Sequence, residues 1–169
     1  MTAALEICPD CKLALEPVEG LRHPYLGGSP SCCAAYGQLL AREYSDPAYM
    51  AAHRKTVDAY CAQHPGVAER RSTQSINVHL AGLCLMIERG CSGDFARQVI
   101  ATLVKSHEHQ FRWLMPPADL GDVRVTDVLA AESPSGHARE VDRWAECVWS
   151  AWHPHHAKIR DLVDAAVKS

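Results

Sequence analysis

Two cysteine pairs near the N-terminus limit what this chain can fold into more than any other feature. Cys8 and Cys11 are separated by two residues, and Cys32 and Cys33 are adjacent. A Cys-x-x-Cys spacing lets both thiolates reach one zinc ion at about 2.3 Å, which is half of a tetrahedral site. We therefore predict a zinc-stapled N-terminal segment. Cys32 or Cys33 supplies the third ligand, and His23 or the other cysteine of that pair supplies the fourth.

Cys-x-x-Cys is also the thioredoxin-type redox motif, and four cysteines can fall close together by chance. In the redox motif, the first cysteine opens a helix that follows a buried strand. Residues 2–7 are too few to supply that strand, and residues 12–20 contain Pro17 and Gly20. Because a third and a fourth donor lie nearby in the sequence, zinc is favoured over both alternatives.

The composition is that of a soluble globular domain. With 47% hydrophobic and 22% charged residues over 169 positions, one core can form and disorder is not expected. The net charge of −3 and the scattered Lys and Arg residues leave no basic face for nucleic acid. No apolar run approaches the roughly 20 residues of a membrane helix, and no signal segment is recognisable. We expect a cytoplasmic protein without nucleic-acid or membrane partners.

Cysteine and histidine usage supports a metal protein in a reducing compartment. The chain has eight cysteines, but Cys61, Cys84 and Cys147 lie within helical apolar patterns, where a reduced thiol acts as a small hydrophobic group. Disulfides are therefore not expected. The ten histidines are a second indication of metal binding.

Helix start and stop motifs after residue 28 predict an all-α fold, a helical bundle with the irregular zinc-stapled segment at its N-terminus. Ser29-Pro30 and Asp46-Pro47 each combine an N-cap residue with proline at the first helical position. Helices are expected at about 30–44, 47–64, 72–90, 94–105, 126–131 and from 135 onward, with a kink at Pro154. No strand is predicted. We expect a zinc-binding segment, residues 1–33, that packs on a bundle, residues 34–169.

Histidines inside the predicted bundle form a second candidate site. If the third and last helices face each other, His79 and His156 can meet in the core and hold a metal with an open coordination position. His64 and Asp58 would complete this site as catalytic groups. The aromatic residues expected to line a ligand cavity are Tyr60, Trp149 and Trp152. In the alternative interpretation these are core residues, because buried histidines and aromatic residues at helical spacing more often pack than bind.

Short motifs are spread over nearly the whole chain. They are Cys8-Pro-Asp-Cys11, Ser29-Pro-Ser-Cys32, Val57-Asp-Ala-Tyr60, Gln63-His-Pro-Gly66 and the tryptophan and histidine spacing from Trp144 to His156. Together they resemble an uncharacterised bacterial domain family of unknown function. That resemblance implies no established activity.

His79-Leu80 and the segment from His156 to Arg160 more weakly resemble the DinB-like metal-binding helical bundles, which include thiol-dependent transferases and isomerases. In those proteins a His-Leu helix supplies one ligand, and a late His-x3-His helix supplies two. The resemblance implies a helical bundle with a metal site. Here Trp152 occupies the position four before His156, so another histidine would have to complete the set.

The leading hypothesis is a zinc-binding, cytoplasmic helical protein with a histidine-lined cavity, acting as a metal-dependent hydrolase or transferase. A metal held by His79 and His156 would activate water or a thiol, with Asp58 as base or orienting group. The alternative is a non-enzymatic module that binds a small ligand or a protein, with a purely structural zinc site. The sequence shows no P-loop, nucleophile elbow or dinucleotide fingerprint, which disfavours kinases, common hydrolases and Rossmann oxidoreductases. It leaves the oligomeric state open.

Overall fold

Eight α-helices make up most of residues 4–169, the part of the chain that the computed structural model describes. They are α1 (Pro30–Ser45), α2 (Pro47–Met50), α3 (His53–Gln63), α4 (Arg70–Leu83), α5 (Gly93–Thr102), α6 (Val125–Leu129), α7 (Pro134–Ala151) and α8 (His156–Val167). The all-α prediction is therefore confirmed. Within residues 4–169, none of the helices combines the length and apolar character that crossing a membrane requires.

The helix starts follow the capping residues that the sequence predicts. The Ser29 side chain accepts a hydrogen bond from the N–H of Cys32, and Asp46 caps α2 through the N–H of Ala48. The single helix expected after Asp46 is instead divided, because α2 ends at Met50 and α3 begins at His53. The predicted interruption near Pro154 is present as a 3-10 turn, His153–His155, between α7 and α8.

Two helices end in wider π-helical turns that the sequence pattern does not predict. Cys84–Glu88 continues α4, and Leu103–His107 continues α5. The first of these ends near Gly90, whose φ of 63° lies in the left-handed region typical of a glycine helix stop.

Helix α3 makes its most extensive contacts with α4 and α7. Two fully buried tryptophans tie α7 and the residue after it to the end of α3. The indole N–H of Trp144 donates to Gln63 Oε1 at 2.9 Å, and that of Trp152 donates to the Ala62 carbonyl at 3.0 Å. Because both indole N–H groups have partners, these large side chains fill the core without leaving a polar atom unpaired.

A buried carboxylate joins α1, α3 and α7. Glu43 has no solvent exposure and accepts hydrogen bonds from His53 Nδ1 at 2.8 Å, His137 Nε2 at 2.9 Å and Thr56 Oγ1 at 2.5 Å. Buried polar groups persist only when they are paired, so this carboxylate fixes the relative positions of the three helices.

The N-terminal segment contains two short strands that the sequence pattern does not predict. Strand β1 (Glu6–Ile7) pairs antiparallel with β2 (Ala14–Leu15). Two residues are too few to show the alternation by which strands are recognised. Cys8 and Cys11, in the turn between these strands, belong to the same hydrophobic core as the helices. The segment is therefore packed against the bundle.

Candidate metal centre

The turn between β1 and β2 directs two thiols inward. The N–H of Cys8 donates to the Leu13 carbonyl at 2.8 Å, and the N–H of Lys12 donates to the Cys8 carbonyl at 3.1 Å. Lys12 has a φ of 61°, which reverses the chain directly after Cys11. Both cysteine side chains are consequently buried.

Cys32 comes from the first turn of α1. Its position is set by the Ser29 cap, whose hydroxyl accepts the Cys32 N–H at 3.2 Å. The Cys32 Sγ atom lies 3.9 Å from Cys11 Sγ. Free N–H groups and the helix dipole favour a thiolate at this end of a helix.

His64 follows the last residue of α3 and completes the group. Its Nδ1 lies 2.7 Å from the Tyr60 carbonyl and donates to it, while Nε2 lies 3.3 Å from Cys32 Sγ. The hydrogen bond at Nδ1 fixes the orientation of the ring, so the lone pair of a neutral imidazole at Nε2 faces the thiols. This is the arrangement that metal-binding histidines commonly adopt.

The four donor atoms fit a tetrahedral zinc ion. The Sγ atoms of Cys8, Cys11 and Cys32 and the His64 nitrogen all lie within 4.8 Å of one another, and all four residues are buried. Zinc bond lengths place two sulfurs about 3.8 Å apart and sulfur and nitrogen about 3.5 Å apart. The Cys11–Cys32 and Cys32–His64 distances of 3.9 and 3.3 Å are close to these values. The group is therefore a candidate Cys3His metal site.

The close packing of the four groups also changes their affinity for protons. Hydrogen bonding by Cys11 and Cys32 lowers the pKa of Cys8 far below its usual range, whereas contacts with Cys11 and Cys8 raise that of Cys32. Burial lowers the pKa of His64, but Cys11 and Cys8 raise it to about 10 on balance. The cluster thus favours a thiolate at Cys8, balanced by a proton on His64. A divalent metal would take the place of the protons, because it binds thiolates and a neutral imidazole.

Hydrogen bonds from the surrounding chain hold the cluster in place. Asp10 Oδ2 accepts the N–H of Gly66 at 2.9 Å, and the N–H of Gly27 donates to the His64 carbonyl at 3.3 Å. A Cβ atom at Gly27 would overlap the Asp10 carboxylate, so this close approach requires glycine. Arg124 Nε, 113 residues further along the chain, donates to the Cys11 carbonyl at 2.7 Å.

His64 is the fourth donor beside the three thiols. His23 and Cys33, the two candidates that the sequence suggests for this position, have other partners. His23 Nδ1 accepts the backbone N–H groups of Tyr25 and Leu26 at 3.4 and 3.3 Å. The Cys33 Sγ atom accepts the Tyr60 hydroxyl at 3.6 Å. A helix turns by about 100° per residue, so Cys33 points to a different side of α1 from Cys32.

His79 and Asp58 are hydrogen-bonded to each other, whereas His64, which the sequence pattern places in the same site, belongs to the Cys3His cluster. His79 Nδ1 donates to Asp58 Oδ1 at 2.7 Å. Arg54 donates to both oxygens of the same carboxylate, at 2.6 and 2.9 Å. The carboxylate is thus fully engaged.

His156 has a packing role in the structure. Its Nε2 donates to the Trp149 carbonyl at 2.8 Å, and its ring stacks on the Trp149 indole with centroids 3.7 Å apart. Within residues 4–169, the Cys3His cluster is the one group of three or more Cys, His, Asp or Glu side chains close enough to share an ion. His79 and His156 are therefore not brought together as metal ligands.

The three aromatic residues expected to line a single cavity lie in different parts of the structure. Tyr60 lies in the wall of a mainly apolar pocket beside Cys33. Trp149 and Trp152 are buried in the core. The structure therefore does not assemble these three side chains around one ligand.

The helical bundle and its buried Cys3His cluster place the chain in the class of all-α proteins with a candidate metal site. The chain belongs to a family of unknown function, DUF5946, whose family model matches residues 6–153. The match includes all four cluster residues, and it confirms the predicted membership in an uncharacterised family. Neither the curated proteins nor the solved structures that were compared with the chain gave a match. The resemblance to DinB-like bundles gains no support from these comparisons.

Proposed function

We propose that this protein binds one Zn2+ ion through Cys8, Cys11, Cys32 and His64, and that the ion has a structural role. It staples the turn that carries Cys8 and Cys11 to the start of α1 and the end of α3. The boundary predicted between residues 33 and 34 falls inside α1, so the stapled segment ends before Pro30. The observation that supports this most strongly is the converging set of four buried donors, in which the free nitrogen of His64 already faces the sulfurs.

The burial of the cluster supports a structural role over a catalytic one. A catalytic zinc site has three protein ligands and keeps a fourth position open for water or substrate. Here four protein donors are available, and their residues are at most 2% exposed. The hydrolase or transferase hypothesis relied on His79 and His156, which hold other partners in the structure. The non-enzymatic alternative is therefore preferred.

The free thiols support a reducing environment such as the cytoplasm. All eight cysteines are free in the structure, and five of them are buried. Oxidation within the Cys3His group would remove the thiolates that bind the metal. We therefore place this protein in the cytoplasm as part of the proposal.

Metal analysis of protein purified without a histidine tag tests the zinc site. We expect one zinc per chain, and we expect the Cys8→Ser, Cys11→Ser double variant to lose it. Cys32→Ser and Cys33→Ser form a matched pair, because the two residues are adjacent but only Cys32 Sγ belongs to the cluster. Only the Cys32 variant should lose zinc.

Cobalt substitution provides a measurement that does not depend on zinc content after purification. Cobalt in a tetrahedral site with three thiolates should give strong ligand-field and charge-transfer absorption, which the Cys33→Ser variant retains. Loss of a zinc-bound fold should also lower stability by several kcal/mol, because metal binding is coupled to folding. Unchanged zinc in the double variant, or equal loss from both single variants, would show that the assignment is wrong.

A further inference from the structure

A second site with unused polar groups lies along α4. A pocket of about 300 Å3 is lined by five residues of this helix, Arg71, Gln74, Ser75, Val78 and His79, and is closed by Tyr25 and Val104. The spacing of the five residues places them on one face of the helix. None of the lining residues is acidic, and the volume matches the lower end of small-molecule sites.

Three of these side chains have hydrogen-bonding capacity that the protein does not use. Ser75 is 8% exposed, and its hydroxyl oxygen is buried without a hydrogen-bond partner. Within the described part of the chain, Arg71 forms no ion pair and the Gln74 amide no hydrogen bond. A buried hydroxyl without a partner is rare in folded proteins, and a ligand is one of the ordinary reasons for it.

His79 contributes a fixed donor and a positive charge. Its Nδ1 is bonded to Asp58, whose charge is already balanced by the two-pronged contact with Arg54. A Cβ atom at Gly82 would overlap the Asp58 carboxylate, so glycine makes room for this arrangement between α3 and α4. Burial lowers the pKa of His79, but the neighbouring Cys61 and the bond to Asp58 raise it to about 10 on balance. This shift favours the protonated imidazole at neutral pH.

The lack of a hydrogen bond between Ser75 and His79, together with the raised pKa of His79, favours binding over catalysis at this pocket. Asp58, His79 and Ser75 are the residue types of a hydrolytic triad, but a histidine that already carries its proton cannot remove one from serine. No hydrogen bond joins Ser75 to His79 either. The pocket instead offers the positive charges of Arg71 and His79 and the neutral donors of Gln74 and Ser75. No acidic residue lines it.

We propose that this pocket binds a small organic anion, held at its carboxylate or phosphate group by Arg71, Ser75 and His79. Gln74 adds a further donor. Val78 and Val104 provide apolar contacts for the remainder of the molecule. Charged donors that converge on one anionic group form stronger hydrogen bonds than neutral ones. This inference does not depend on the identity of the metal.

Nuclear magnetic resonance titration of the zinc-loaded protein tests the proposal. The probes are inorganic phosphate and isovalerate, a short branched carboxylate, with tetramethylammonium chloride as a cation control at equal ionic strength. We expect saturable shifts of the Arg71 and His79 side-chain signals with at least one anion, and the tighter probe identifies the preferred anionic group. Absence of saturable shifts with both anions at tens of millimolar overturns the proposal.

Adjacent arginines provide a matched pair of variants. Arg71→Gln removes a charge from the pocket and should weaken anion binding about tenfold, as expected for a lost charge-assisted hydrogen bond. Arg70→Gln should leave binding unchanged, because Arg70 does not line the pocket and pairs with Glu108 at 3.2 Å. Equal affinities of the two variants would contradict the proposal. His79→Gln should weaken binding to a similar degree, and the arginine pair decides the question if that variant does not fold.

Discussion

Replacing Asp58 by asparagine removes the charge that links α3 to α4. The carboxylate has no solvent exposure and accepts from Arg54 at 2.6 and 2.9 Å and from His79 at 2.7 Å. Removing one partner of a buried ion pair costs about 3–5 kcal/mol, since the other charge is left unpaired. Arg54 is 27% exposed and can recover part of its hydration, so we expect a loss in the lower part of that range. For a protein of this size the melting temperature should fall by about 10 °C.

The Asp58→Asn substitution should also change how stability depends on pH. His79 faces Asp58, Arg54 and Cys61 of α3, and shares its own helix face with Arg71. Its pKa of about 10 exceeds the unfolded value of about 6.5. A group whose pKa is raised on folding adds stability that is fully present below the unfolded pKa and is lost as pH rises through the folded pKa. The loss should reach at most about 5 kcal/mol. It should be smaller in the variant, in which Cys61 still raises the pKa of His79 but Asp58 no longer does.

Urea unfolding of the zinc-loaded protein between pH 6 and pH 10 measures both effects. Asp142→Asn is a suitable control, because Asp142 is half exposed and pairs with Lys55 on the surface at 2.6 Å. Such a pair contributes about 1 kcal/mol or less. If Asp58→Asn and Asp142→Asn destabilise the protein equally, or if the cost of Asp58→Asn does not change with pH, the account of this buried pair is wrong.

Two further variants test the packing around the bundle and the metal site. Glu43→Gln should lower the free energy of unfolding by about 3 kcal/mol, because a neutral amide forms weaker hydrogen bonds to His53 and His137 and points its own N–H donors at theirs. Chemical denaturation measures this loss, and a loss below about 1 kcal/mol would refute the prediction. Gly27→Ala should displace Asp10 and increase the rate at which a chelator removes zinc; an unchanged rate would show that the close approach at Gly27 is not needed.

The elements that sequence alone predicts are those with local causes. Ser29 and Asp46 cap helices because a short polar side chain reaches an N–H two or three residues ahead, and proline follows each of them. The interruption near Pro154 has an equally local reason, since proline lacks a donor. The two-residue strands and the π-helical turns depend on tertiary packing, and no local pattern specifies them.

The residues of the candidate metal site also fall into those that local sequence predicts and one that depends on tertiary packing. The spacing of Cys8 and Cys11 identifies two of the candidate ligands, and the Ser29 cap explains the position of Cys32. His64 lies 32 residues beyond Cys32 and reaches the sulfurs only because α3 ends beside them. The sequence pattern instead groups His64 and Asp58 with His79 and His156, because sequence spacing does not report which side of the bundle a helix end occupies. The partnership of Asp58 with His79 is likewise a product of how α3 packs on α4.

The burial of all four donor atoms has a kinetic consequence. A chelator cannot contact an ion enclosed by Cys8, Cys11, Cys32 and His64 until the turn between the two strands lifts away from the end of α3. Exit of a metal from the proposed site would then require this local opening, which precedes global unfolding. If the proposed metal is bound, its exchange rate would therefore report how often the N-terminal segment detaches.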